Sequence, residues 1–155
     1  MKITEMIKTI LLLFALTALF SCEKEDGENE TKISTYGSSS SHNNGQNCMN
    51  CHKSGGEGEG WFTAAGSVYN SAQTASYING TINLTTEAQN TGITKASIEI
   101  DQNGNFYTTE PISFTDGLYV SVTGTTGTTK YMSQKITTGQ CSSCHGGSTE
   151  KIWAE

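Results

Sequence analysis

Cysteine and histidine fall into one five-residue pattern twice in this chain, Cys48-Met49-Asn50-Cys51-His52 and Cys141-Ser142-Ser143-Cys144-His145. Two thiols three positions apart can be presented from a single turn of backbone, with the following imidazole beside them. That spacing attaches haem c: the thiols bond the vinyl groups along one porphyrin edge and the histidine ligates the iron. The two copies account for four of the five cysteines and two of the three histidines.

Other chemistries use the same residues, and each leaves something unexplained. A C-x-x-C pair is half of a four-cysteine zinc site, but 89 residues separate Cys51 from Cys141, against roughly 15 to 20 in a zinc ribbon. A redox-active dithiol needs a depressed thiol pKa and a βαβ surrounding, and it gives His52 and His145 no task. A disulfide framework suits an exported chain and again leaves both histidines idle.

Export is written into the first residues. Lys2 and Lys8 precede an apolar run over residues 10–20, shorter than the about 20 residues of a membrane-spanning helix, so residues 1–21 read as a cleavable leader. Its end, Leu19-Phe20-Ser21-Cys22, resembles the bacterial lipobox, which implies that Cys22 becomes a lipid-bearing N-terminus anchored in a membrane. The next residues, Glu23-Lys24-Glu25-Asp26, resemble the surface-export signal of Bacteroidota lipoproteins, which implies an outer-membrane lipoprotein exposed at the cell surface. Read as plain residues they are a solvated acidic tether. Without residues 1–21 the chain keeps 7 of its 9 lysines and 14 of its 15 acidic residues, a net charge of −7, and it has no arginine. That balance argues against nucleic acid as a partner, since phosphate binding relies on clustered basic groups. A partner drawn by charge would carry lysines.

The motifs must be positioned by what lies around them. Residues 22–47 are rich in Ser, Asn, Gly and Glu, with a serine run at 38–41, and are expected as a flexible tether. Residues 48–155 are expected as one domain: a first haem segment (48–61), a β-structured middle (62–136) and a second haem segment (137–155). Glycines between Lys53 and Trp61 keep any helix at the first motif short. In the middle the apolar period is two. Residues 66–69 form a brief strand; 77–85 place Ile78, Ile82 and Leu84 on one face; 95–101 place Ala96, Ile98 and Ile100 inward; 117–123 place Leu118, Val120 and Val122 inward. Asn103-Gly104, between Ile100 and Phe106, predicts a hairpin. The expected fold is mainly β, a small antiparallel Greek-key sandwich flanked by two short C-x-x-C-H segments.

Gly66-x-Val68, Ala96-x-Ile98-x-Ile100-Asp101-x-x-Gly104-x-Phe106 and Tyr119-Val120 resemble the transthyretin-like domains of carboxypeptidase regulatory modules. This implies the same sandwich, without catalytic residues. Over residues 42–155, above all Cys48-Met49-Asn50-Cys51-His52-Lys53-x-Gly55-Gly56, the chain resembles small dihaem c-type cytochrome lipoproteins of the Bacteroidota. That likeness implies two covalently bound haem c groups and one-electron exchange with other redox proteins or an extracellular acceptor.

Two irons need proximal ligands, His52 and His145, and can take distal ones. After the leader the chain has one further histidine, His42, and two methionines, Met49 and Met132. Met49 lies inside its own motif on the proximal side. His42 and Met132 are therefore the candidate distal ligands, either one at either haem; a His/Met centre would have the higher potential. Gly55-Gly56 precede Trp61, as Gly146-Gly147 precede Trp153. Glycine lets backbone approach a haem edge, and each tryptophan is expected against a haem face or as an ordinary core anchor.

These residues predict a membrane-anchored dihaem electron carrier of the cell envelope, with a sandwich that brings the distant motifs together and no catalytic residues. One alternative is a haem peroxidase or gas sensor with a five-coordinate iron; the absence of arginine weighs against it, because peroxide cleavage benefits from a nearby cation. Another is a surface β-sandwich binding module with zinc or disulfides at the C-x-x-C pairs.

Overall fold

In the computed structural model, which describes residues 30–155, the period-two segments become the inner faces of two sheets. The leader and Cys22 lie outside the described residues. The strands are β1 (Ala64–Asn70), β2 (Thr81–Thr85), β3 (Thr94–Glu99), β4 (Asn105–Thr108), β5 (Tyr119–Thr123), β6 (Thr129–Tyr131), β7 (Gly139–Gln140) and β8 (Ile152–Ala154).

One sheet runs β3-β2-β5-β6, antiparallel throughout. Its register sets Ile82 opposite both Ile98 and Val122, and Leu84 opposite both Ala96 and Val120. Two apolar rungs therefore cross three strands on the inner face. With Val68, Ile100, Phe106 and Leu118 they form the core, each fully buried side chain contributing about 1.5–3 kcal/mol. From β3 the chain crosses to β4 in the other sheet and returns to β5 beside β2, the crossing of a Greek-key sandwich.

The second sheet is organised around β1. Antiparallel β4 lies on one side. On the other side, β7 pairs with Ala64 and Ala65 and β8 with residues 68–70, both parallel to β1. Residues 141–151, which contain the second motif, leave the sheet between these two short strands. β1 itself is Ala-Ala-Gly-Ser-Val over its buried half. Small residues are needed because both its faces are covered: a Cβ on Gly66 would stand 2.7 Å from the Phe106 ring and 3.0 Å from Cys141 Cβ.

Three expectations are corrected. Asn103-Gly104 does turn the chain, with Gly104 at φ +77°, but it joins strands of different sheets rather than a hairpin pair, because Asp101 Oδ1 accepts from the N–H groups of Asn103 and Asn105 and closes the turn locally. Ile78 is 42% exposed; Asn79, in the left-handed region at φ +60°, breaks the alternation, so the strand begins at Thr81. The described part of the supposed tether is ordered against the sandwich. Ser34 is buried and its N–H donates to Tyr107 O at 2.9 Å, Thr109 N–H donates to Lys32 O, and Gln102 N–H to Ser38 O. A polar strip carries no apolar signature, yet it satisfies the open edge of β4 with hydrogen bonds.

Candidate cofactor clefts

Each C-x-x-C-H begins with a single 3-10 turn, Cys48–Asn50 and Cys141–Ser143. In both, the second cysteine keeps helical backbone angles, −102°/−43° at Cys51 and −110°/−50° at Cys144. The histidine N–H then closes the turn onto the first cysteine's carbonyl, His52 to Cys48 at 3.0 Å and His145 to Cys141 at 3.1 Å.

The imidazoles are braced the same way. Gly58 N–H donates to Cys51 O at 3.1 Å, and the following carbonyl, Glu59 O, lies 2.9 Å from His52 Nδ1. At the second motif Thr149 N–H donates to Cys144 O at 3.0 Å, and Glu150 O lies 2.7 Å from His145 Nδ1. A carbonyl can only accept, so each Nδ1 carries a proton, and in the neutral imidazole this leaves the lone pair on Nε2, the nitrogen that can bind a metal. The brace recurs although its carbonyl comes seven residues after His52 and five after His145.

Gly58 is required at the first brace: a Cβ there would stand 2.7 Å from His52 Nδ1 and 2.8 Å from Cγ. Phe62 stacks directly on the His52 imidazole, 4.1 Å between ring centres at an 8° tilt, and Tyr107 stacks on Phe62. A cleft of about 530 Å³ opens here, lined by His42, Cys48, Cys51, His52, Phe62 and Tyr107 among others. A second cleft of about 510 Å³ is lined by Cys141, Cys144, His145, Met132, Ile136 and Trp153 among others. Both sizes suit a bound cofactor.

The two candidate distal residues are thus divided, His42 to the first cleft and Met132 to the second, while Met49 lines neither. Of the paired tryptophans, only Trp153 lines a cleft; in the first cleft its counterpart is Phe62, the neighbour of Trp61. The glycine pairs also differ. A Cβ on Gly56 would meet Cys51 O at 2.0 Å, whereas on Gly147 it would meet nothing closer than 3.8 Å. Gly58 and the Glu59 and Glu150 carbonyls carry no signal in the sequence beyond glycine richness, because a backbone acceptor has no residue type.

The two motif turns lie close together, both packed against β1. Asn47 Nδ2 donates to Gln140 Oε1 at 3.3 Å, joining the residues that precede Cys48 and Cys141. All four thiols are free. Burial raises the Cys48 pKa and pushes the Cys141 pKa up to about 12. The first thiol of a redox-active pair is held low instead. Among the described residues no three His, Cys, Asp or Glu side chains form a group able to hold a metal ion, so the two pairs do not converge as a four-sulfur site. Charge differs between the rims: Glu57, Glu59 and Lys32 at the first, Lys130, Lys135, Lys151 and Glu150 at the second. No protein family, curated protein or solved structure matches the chain.

Proposed function

We propose that the chain is a dihaem c-type cytochrome, an electron carrier rather than an enzyme. The observation that carries this reading is the duplicated brace: a thiol pair and an imidazole with its Nε2 left free, at the mouth of a cofactor-sized cleft, built twice from unrelated flanking sequence. Cys48, Cys51 and His52 would hold one haem and Cys141, Cys144 and His145 the other. When bound, each haem iron takes up and releases one electron. The chain's own work is to fix each proximal imidazole in one tautomer, to pack Phe62 against the first imidazole and Trp153 into the second cleft, and to hold both motif turns against β1. The distribution of His42 and Met132 supports a His/His centre at the first cleft and a His/Met centre of higher potential at the second. Electrons would then pass from the first to the second, on to another redox protein or an extracellular acceptor. The lipobox-like Leu19-Phe20-Ser21-Cys22 supports anchoring through a lipid at the outer membrane.

Protein exported by a host able to attach haem c should be red, give a pyridine haemochrome, and show an intact mass increased by two haems. Colourless protein, or a metal ion held by four sulfurs, would overturn the proposal.

A further inference from the structure

We propose that residues 38–45 are a ligand arm, in which Asn103 and Asn105 are positioning residues that hold His42 opposite His52 and close the first iron to outside molecules. The inference rests on the dihaem reading and adds to it a mechanism of closure.

Composition marks residues 38–45 as a mobile serine-rich lead, yet the turn after β3 grips them at several points. Asn103 Nδ2 donates to Ser41 O at 2.6 Å and to Ser39 O at 3.1 Å. Asn105, almost wholly buried, donates from Nδ2 to Ser41 Oγ at 2.9 Å and to His42 O at 3.4 Å. Its Oδ1 accepts from Ser67 Oγ at 2.6 Å and Asn44 Nδ2 at 3.2 Å, and Ser67 Oγ also accepts from Gly45 N–H at 2.8 Å. The arm is therefore clamped immediately on either side of His42. Asn43 and Gly45, both at positive φ, then turn the chain back toward Cys48.

The clamp has an unusual base. Asp101 is fully buried; its Oδ1 fixes the turn that presents both asparagines, and its Oδ2 has no hydrogen-bond partner. Burying a carboxylate with one oxygen unsatisfied is costly. The arrangement makes sense if the position of that turn matters.

His42 itself is left available. Among the described residues neither of its ring nitrogens has a hydrogen-bond partner, and its ring centre lies 5.8 Å from that of His52, across the first cleft. Two imidazoles that share one metal ion, each bonded at about 2 Å, have ring centres roughly 6 Å apart. The fold thus brings two imidazoles to the separation at which they can share an iron.

The test uses fully matured protein and carbon monoxide on the reduced form, with haem content measured in every sample. His42→Ala should keep two haems, bind one more carbon monoxide per chain than the parent, and regain a low-spin spectrum with added imidazole. Asn103→Ala removes the half of the clamp that holds Ser39 and Ser41, leaving the Asn105 bonds in place and touching neither a core residue nor the iron. It should speed carbon monoxide binding at the first haem on the order of tenfold, the equilibrium worth of about one hydrogen bond, with a small change in melting temperature. An unchanged spectrum and no added carbon monoxide in His42→Ala would overturn the ligand assignment. Opening by His42→Ala with parental kinetics in Asn103→Ala would overturn the clamp. Protein without two haems would instead sink the underlying reading.

Discussion

The first cleft faces an arm that packs against the turn after β3 and is walled by Phe62 and Tyr107, with Glu57 and Glu59 on its rim. The second is an excursion between two short strands on the edge of β1, walled by Ile136 and Trp153, with three lysines around it. The brace on the histidine is the same in both. Under the dihaem proposal, what is shared would fix the proximal ligand and what differs would set the potential. Cations beside a redox centre favour its reduced form and anions its oxidised form, so under that proposal the lysine-rimmed cleft that contains Met132 would on both counts hold an electron more tightly.

The comparison can be broken most severely through Phe106, which is buried, meets Gly66 of β1 and lines only the second cleft. Phe106→Ala should cost about 3–5 kcal/mol in denaturant unfolding, and haem signals from the second site should broaden first. Next is alkaline pH. In protein prepared without haem, the unfolded thiol of Cys141 ionises from its ordinary 9.0, while the folded one stays protonated to about 12. The unfolded state then binds fewer protons, so this thiol's contribution is whole below pH 9 and is lost as pH rises through that window. Urea midpoints measured from pH 8 to 11 should fall, and Cys141→Ala should flatten the slope.

A finer contrast lies in the glycines. Gly58→Ala should cost about 1–3 kcal/mol through the clash with His52 and perturb the first haem's spectrum, whereas Gly147→Ala, with open space around it, should stay within about 0.5 kcal/mol. Equal effects at the two positions would remove the contrast between the two glycines. Smallest is Lys32, which pairs with Glu30 and Glu59 at the exposed rim. Lys32→Ala should cost below about 1 kcal/mol, and less at high salt, by thermal melting.

Much of the sandwich was legible because alternation is a direct image of burial. Ile82 and Leu84, Ile98 and Ile100, and Leu118, Val120 and Val122 all point where period two sends them. The strands β7 and β8 were not, since two or three residues cannot display a period. The arm was misread for a related reason: serine and asparagine that hydrogen-bond an edge have the same composition as serine and asparagine in water. At the clefts, the grouping of each thiol pair with its histidine was readable from spacing alone. The sorting of His42 and Met132 was not, because it depends on which motif the long-range path of the chain brings each one to, and nothing local encodes that.

The position of Cys141 on Gly66, beneath a sheet whose last rung comes from residues 152–154, sets an order of events for biogenesis. Long-range pairings of this kind form slowly, and once they have formed Cys141 is half-buried beside Gly66 and its thiol stays protonated. Under the dihaem proposal, thioether formation at that position would therefore belong to the still-open polypeptide, and the attachment machinery would have to act before the carboxyl end has docked.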